Sequence, residues 1–278
     1  MKTILVPTDF SEQAKFAFDF ALQMAHKLKG EIYLLHVADL PVVSDPMGTN
    51  LHAFLSPETL KSLEDKIDSK LQDFESVNTN GVKVHRSMEW GNPFSAITKN
   101  ITDSNCDMVV MGSKGASGLK EIFIGSNAER IIRHSKVPVI TIKEKTEISS
   151  IKSIVFGTDI KEINKVLFKN LKELVEFFDA TLHLVHVNTP TDFKRDTEVI
   201  PALKNLAKNY FPDGTMVHVY NDVNEDLGLI HFTESINADL IALGTHGKRG
   251  FEHFISGSVA EDVANHAKRP IWTSVLNK

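Results

Sequence analysis

Two stretches of this chain carry glycine at one spacing. MGSKGASGLKEIFIGS holds Gly112, Gly115, Gly125 and Ser126, and LGTHGKRGFEHFISGS holds Gly244, Gly247, Gly257 and Ser258. Both read G-x2-G-x9-G-S. Each follows a short apolar run (DMVVMG, DLIALG) and opens a run of helical period (SNAERIIRH, SVAEDVANH). Glycine lets the backbone curl tightly and lets a ligand come close. A helix that starts after the last glycine turns free N–H groups and a positive dipole end toward that ligand. The chemistry this suggests is an anion cradle, for phosphate above all, built twice. The competing reading is a pair of tight turns with no ligand. One such pattern is weak evidence, because glycine is common; a second copy at the matching place of an internal repeat is much harder to obtain by accident.

The repeat extends beyond the glycines. TILVPTDF matches SIVFGTDI, which pairs Asp9 with Asp159, and EIYLLHVAD matches ATLHLVHVN, which pairs His36-Val37 with His186-Val187. These pairs are 150 positions apart and the glycine loops 132, so the second half is shorter by 18 residues between its second strand and its glycine loop. VPVITI matches RPIWTS as a closing strand. The period is far above solenoid range and the length suits two domains, expected at 1–145 and 150–278 with the polar stretch EKTEISS between them.

Strand-like and helix-like runs alternate. In the first half the strands are predicted at Ile4–Val6, Ile32–Val37, Val82–Arg86, Met108–Met111 and Val137–Ile142. Phe16, Ala17, Phe20, Ala21, Met24 and Leu28 fall at helical spacing between the first two, and Leu60, Leu63, Ile67, Leu71 and Phe74 between the second and third. Ser56 with Pro57, and Asn92-Pro93, read as helix starts. In the second half Ile163, Val166, Leu167, Leu171, Leu174, Val175 and Phe178 form one stripe, and Ile200, Leu203, Leu206, Ala207 and Tyr210 a shorter one. All are expected to be core. Alternation of this kind means βαβ units and a parallel sheet, where ligands bind beyond the carboxyl ends of strands at a reversal of strand order.

Composition narrows the function. The chain has 42% hydrophobic and 24% charged residues and a formal net charge of -5, which offers no broad attraction to nucleic acid or anionic membrane. No apolar run approaches the roughly 20 residues that span a bilayer, and MKTILVPTDFS lacks the pattern of a signal peptide. The one cysteine, Cys106, excludes an intrachain disulfide and fits a reducing cytoplasm. Neither glycine loop is a Walker A or a G-x-G-x-x-G motif, which argues against NAD or FAD. No carboxylate pair or general base can be placed at the phosphates, so no catalytic residue is assigned and ATP hydrolysis is expected to be slow at most. Among twelve histidines, His246 and His253 share the second glycine loop, but without cysteine or tight spacing no metal site is assigned. His36 and His186 read as satisfied core histidines, and His183 as facing away from His186.

VPTDFS, LLHVAD, MGSKGASGLKEIFIGSNAERIIRHSKVPVI and GTHGKRGFEHFISGSVAEDVANHAKRPI resemble the universal stress protein family in its tandem, ATP-binding form. The resemblance spans nearly the whole chain. It implies two Rossmann-like α/β domains of the adenine nucleotide alpha hydrolase-like kind, each a five-stranded parallel sheet of order 3-2-1-4-5 with helices on both faces. With that order the reversal lies between strands 1 and 4, where Asp9 meets the Gly112 loop and Asp159 meets the Gly244 loop. The resemblance implies that Gly112, Gly115, Gly125 and Ser126 hold the phosphates of ATP, accompanied by magnesium. Asp9 faces the adenosine end, unless it merely caps the helix near Ser11, and Val37 meets adenine. Gly244, Gly247, Gly257, Ser258, Asp159 and Val187 are the second set. It also implies edge-to-edge pairing of Val139–Ile142 with Ile271–Val275, an intrachain pseudo-dimer, with a homodimer as a further assembly.

The second half departs from the pattern: Pro7 and Ser11 become Gly157 and Lys161. In place of ADLPVVSDPMGTNLHAFLSP, a candidate lid, it has the shorter NTPTDFKRDTEVIP, where Lys194 and Arg195 are candidate phosphate ligands. Lys114, Lys248 and Arg249 at the loop tips either add charge to the cradles or are solvated. Site one is therefore expected to be the more enclosed, and the adenosine side of site two is doubtful. Three functions follow: a nucleotide-dependent stress-response module that binds an unknown protein partner, a slow ATPase or nucleotidyl-transfer enzyme at the same crevice, and a nucleotide-free scaffold.

Overall fold

The computed structural model describes residues 2–38, 56–75, 79–113, 124–159, 164–245 and 257–275. The first half runs β1 (Thr3–Thr8), α1 (Glu12–Leu28), β2 (Glu31–Ala38), α2 (Pro57–Glu75), β3 (Lys83–Trp90), α3 (Pro93–Asp103), β4 (Met108–Gly112), α4 (Ser126–His134), β5 (Val139–Ile142). The second runs β6 (Ser153–Gly157), α5 (Lys165–Phe178), β7 (Thr181–Asn188), α6 (Asp196–Tyr210), β8 (Met216–Asn221), α7 (Glu225–Ser235), β9 (Leu240–Thr245), α8 (Gly257–His266), β10 (Ile271–Val275). A turn of 3-10 helix at Ile148–Ser150 lies between them.

The ten strands form one sheet of order β3-β2-β1-β4-β5-β10-β9-β6-β7-β8. Each half is parallel and repeats the order 3-2-1-4-5. The halves meet where β5 and β10 pair antiparallel, with Thr141 opposite Ile271, Ile140 opposite Trp272 and Val139 opposite Thr273. Helices cover both faces. One apolar layer lies under α1, α2, α5 and α6 and includes Phe18, Phe20, Leu171, Leu203 and Trp272. The other lies under α3, α4, α7 and α8 and includes Ile97, Ile131, Leu229 and Val263. Central strands are buried on both faces, as parallel strands between two helical layers must be.

The helix starts follow from local chemistry. Ser11 caps α1 by accepting from the Ala14 N–H at 3.2 Å. Asn92 caps α3 by accepting from Ser95 at 3.1 Å, with Pro93 at the first helical position, and Ser56 accepts from Thr59 before α2. These side-chain oxygens satisfy N–H groups that have no partner within the helix.

Two expected stripes are less buried than their spacing suggests. In α2 only Leu71 is fully buried, because the helix lies over the outer strands, where a sheet edge gives partial cover. Val166 in α5 is 48% exposed: it falls in the first helical turn, beyond the sheet. Ile163 lies outside the described residues.

Candidate functional site

The crevice of the first half opens beyond the carboxyl ends of β1, β2 and β4. Its walls are Pro7, Thr8 and Asp9 from β1 and the turn after it, Leu35 and Val37 from β2, Pro93 and Ile97 from α3, and Met111, Gly112 and Ser113 at the end of β4. Gly125, Ser126, Asn127 and Ala128 at the start of α4 close it. The space is about 740 Å³ counting its open mouth. Asp9, Val37, Gly112, Gly125 and Ser126 are thus brought to one cavity. Gly115 and Lys114 lie outside the described residues, as does most of the candidate lid.

Each wall has a local cause. The chain leaves β1 through Phe10, whose φ of 65° is unusual for a bulky residue and which packs its ring on His36 at 4.5 Å and on Phe74 at 5.8 Å. That sharp turn aims Asp9 at the crevice. The Asp9 carboxylate also accepts from the Ser11 N–H at 3.0 Å, so it braces the entry to α1 while lining the cavity. His36 Nδ1 bonds the Thr8 carbonyl at 2.8 Å and ties the end of β1 to β2; His186 bonds the Thr158 carbonyl in the same way at 3.2 Å. Gly112 sits against the backbone of α1: a Cβ there would stand 2.8 Å from the Gln13 carbonyl carbon and 2.9 Å from the Ala14 nitrogen. This glycine has a packing reason of its own, whatever the cavity holds.

The features suited to an anion lie at the β4–α4 connection. Gly125 is the N-cap of α4 and offers no side chain to bond the first turn. Its own N–H donates to the Ser113 carbonyl at 2.7 Å and pinches the connection shut. The amides of the first turn of α4 therefore face the cavity without a side-chain cap. Ser113 is 1% exposed, and its hydroxyl has no hydrogen-bond partner among the described residues. A buried hydroxyl on a cavity wall without a partner is costly unless something enters to bond it.

The second half places its counterparts differently. Val187 is buried at 2% exposure, whereas Val37 is partly exposed. The cause is α7: a Cβ on Gly228 would lie 2.4 Å from Val187 Cγ1 and 2.9 Å from Asp222 Cβ. The position matching Gly228 in the first half is Ala96, which carries that Cβ. Gly157 stands where the first half has Pro7, and Leu229 and Leu243 crowd the space a Cβ would take there, at 3.2 Å and 3.8 Å. Beyond β7 the chain folds back on Asn188, whose amide donates to the Lys194 carbonyl and accepts from the Lys194 N–H, both at 3.0 Å. The Lys194 ammonium is paired with Asp192 at 2.7 Å, and Arg195 is the N-cap residue of α6. Thr245, the counterpart of Ser113, bonds the Ile132 carbonyl of α4 at 3.3 Å. Gly244 lies one residue before the end of β9, Asp159 follows β6, and Gly257 and Ser258 open α8. Gly247, Lys248, Arg249, His246 and His253 lie outside the described residues.

One contact has no counterpart in the sequence patterns. His183 Nδ1 lies 3.1 Å from His218 Nε2 across β7 and β8, and burial lowers the pKa of both, with the charge of His218 adding to the effect on His183. Among the described residues no group of three or more His, Cys, Asp or Glu is placed to hold a metal ion, and no helix is long and apolar enough to cross a membrane.

The decisive observation is that one family model fits both halves. That of the universal stress protein family matches residues 1–143 and again 150–273. This chain belongs to the universal stress protein family. Over its full length it is similar to a universal stress protein of Synechocystis, 24% identical over 290 residues, covering 98% of this chain and 99% of that one. A Methanocaldococcus jannaschii universal stress protein is 32% identical over 155 residues, covering 52% of this chain and 96% of the relative. The crystal structure of a universal stress protein from Archaeoglobus fulgidus superposes with a TM-score of 0.71 at 25% identity, covering 99% of this chain and 98% of that one.

Proposed function

We propose that this universal stress protein is a nucleotide-binding regulatory module that carries one ATP, in the first half. The observation that carries this is the cavity at the β1–β4 reversal, where a helix start without a side-chain cap, the Ser113 hydroxyl, which has no partner among the described residues, and the Asp9 carboxylate face one space. The residues fit the group. The first-turn amides of α4, with Ser113 and Ser126, suit the phosphates; Asp9 suits hydroxyls of the ribose; the partly exposed Val37, beside the buried Leu35, suits the base. Magnesium arrives with the nucleotide, since the described lining supplies a single carboxylate, Asp9. On this reading Gly115 belongs to the same phosphate loop, and occupancy alters how the protein engages a partner in the cytoplasm.

The second half keeps Gly244, Gly257 and Ser258 in sequence, and Gly247 with them, but the burial of Val187 under α7 leaves its adenosine end filled. Asp159 there has no open adenosine subsite to serve. ATP turnover stays well below about 1 s⁻¹, because Asp9, assigned to the adenosine end, is the one carboxylate among the described lining residues.

Equilibrium dialysis with Mg-ATP tests the reading. The expected result is one nucleotide per chain, lost in Ser126→Asp, which sets a negative charge where phosphate sits, and kept in Ser258→Asp. Two equal sites, or loss of binding in Ser258→Asp alone, would overturn the assignment to the first half. A chain that takes up no ATP would be a nucleotide-free scaffold, and turnover near 1 s⁻¹ that disappears in Ser126→Asp would make it an enzyme.

A further inference from the structure

The end of the first glycine loop is held by the second half of the molecule. The Ile124 N–H, directly before Gly125 and Ser126, donates to Asn265 Oδ1 of α8 at 2.7 Å, across 141 residues of chain. The next amide, Gly125, donates to Ser113 within the first half. Two consecutive amides at the entry to α4 are therefore fixed, one from each half.

Asn265 is itself held. Its carbonyl accepts from the Lys143 ammonium at 2.8 Å, and α8 packs on α4, where Arg133 pairs with Glu261. The repeat gives this contact a direction. Asn265 corresponds to Arg133 in the first half, and a guanidinium has donors only, so Arg133 cannot accept from a backbone amide in the second loop. Arg133 therefore does not repeat the Asn265 contact; the first half instead meets the entry to the second loop through the Ile132 carbonyl, which accepts from the Thr245 hydroxyl at 3.3 Å.

We infer that Asn265 is a positioning residue for the entry to α4 at Ile124–Ser126, so that the second half supports the helix start that faces the first half's cavity. The inference rests on the nucleotide reading above. Ligand contacts on a loop gain from having that loop ordered before binding. A support that fixes the loop strengthens binding, and by linkage nucleotide stabilises the α4–α8 contact equally.

The test compares Asn265→Ala, which removes the acceptor at a helical position that tolerates alanine, with Asn265→Asp, which keeps an acceptor oxygen. Two quantities are read: the Kd for Mg-ATP, and hydrogen exchange at the Ile124 amide without nucleotide. Asn265→Ala should weaken ATP about fivefold to tenfold, the effect of one lost hydrogen bond, and speed Ile124 exchange, with the exchange of β1 and β4 unchanged. Asn265→Asp should keep Ile124 protected, whatever its added charge does to ATP affinity. Wild-type exchange or wild-type affinity in Asn265→Ala would overturn the inference, as would an aspartate variant whose Ile124 amide exchanges as fast as in the alanine variant. If the wild-type protein bound no ATP, the nucleotide reading and the positioning role would both fall, while Ile124 exchange would still show whether the tether exists.

Discussion

At the scale of single residues, Gly112 separates packing from binding. Its position against the Gln13–Ala14 backbone means that even alanine pushes α1 off β4. Gly112→Ala should cost about 1–3 kcal/mol by overpacking, measured as a lower urea midpoint in the absence of nucleotide. An unchanged midpoint would show that α1 yields freely there. Substituting this glycine therefore cannot report on phosphate binding alone, whereas Ser126, exposed on the cavity rim, can. Asp9 shows a similar double use, bracing the turn into α1 and lining the cavity. Cys106 is inert by comparison: burial pushes its thiol up to about 11, so no reactive thiolate forms near neutral pH.

Secondary-structure elements show what sequence could and could not reveal. The strands beside the cavity are legible because their apolar runs are short and sharply bounded, and the starts of α2 and α3 because Ser56-Pro57 and Asn92-Pro93 carry a known local chemistry; the cap of α1 is Ser11 and not Asp9, which accepts from the Ser11 N–H instead. β3 was read too short, at Val82–Arg86, since its later residues up to Trp90 are polar and partly exposed, as an edge strand allows. The approach of α7 to β7 at Gly228 left no readable signal: a single glycine within a helical run does not say what it touches. Nor did Asn265, whose partner is 141 residues away. The His183–His218 contact also escaped, because it is diagonal between strands. It has a measurable consequence. Burial makes both imidazoles, and His186, harder to protonate in the folded protein than in the unfolded chain. Their contribution to stability is intact above the unfolded value of about 6.5 and is lost as pH falls below it. Urea midpoints measured from pH 7.5 to 5.5 should fall, and His183→Phe should flatten that slope; an identical slope in the variant would remove the pair as its cause. Glu261 and Asp262, raised chiefly by burial, act with the opposite sign in a more acidic window.

At the scale of the whole molecule, the β5–β10 seam makes one ten-stranded sheet from two repeats and leaves β3 and β8 as its outer strands. The register places Val139 opposite Thr273, a spacing suited to a disulfide. The double variant Val139→Cys/Thr273→Cys should oxidise within one chain and run as a monomer on a non-reducing gel; a covalent dimer would mean that these strands pair between molecules. The same junction brings α4 against α8, reinforced by Lys27 donating to the Phe177 carbonyl while lying 4.7 Å from the Phe177 ring centre. Separate subunits joined along such a border would carry identical crevices and could exchange mates, so any change in one would appear on both sides. Covalent continuity removes that constraint: every copy of this molecule holds two unlike halves, with Val37 partly exposed in one and Val187 buried in the other, in fixed one-to-one proportion. No mixing of subunits can dilute that difference.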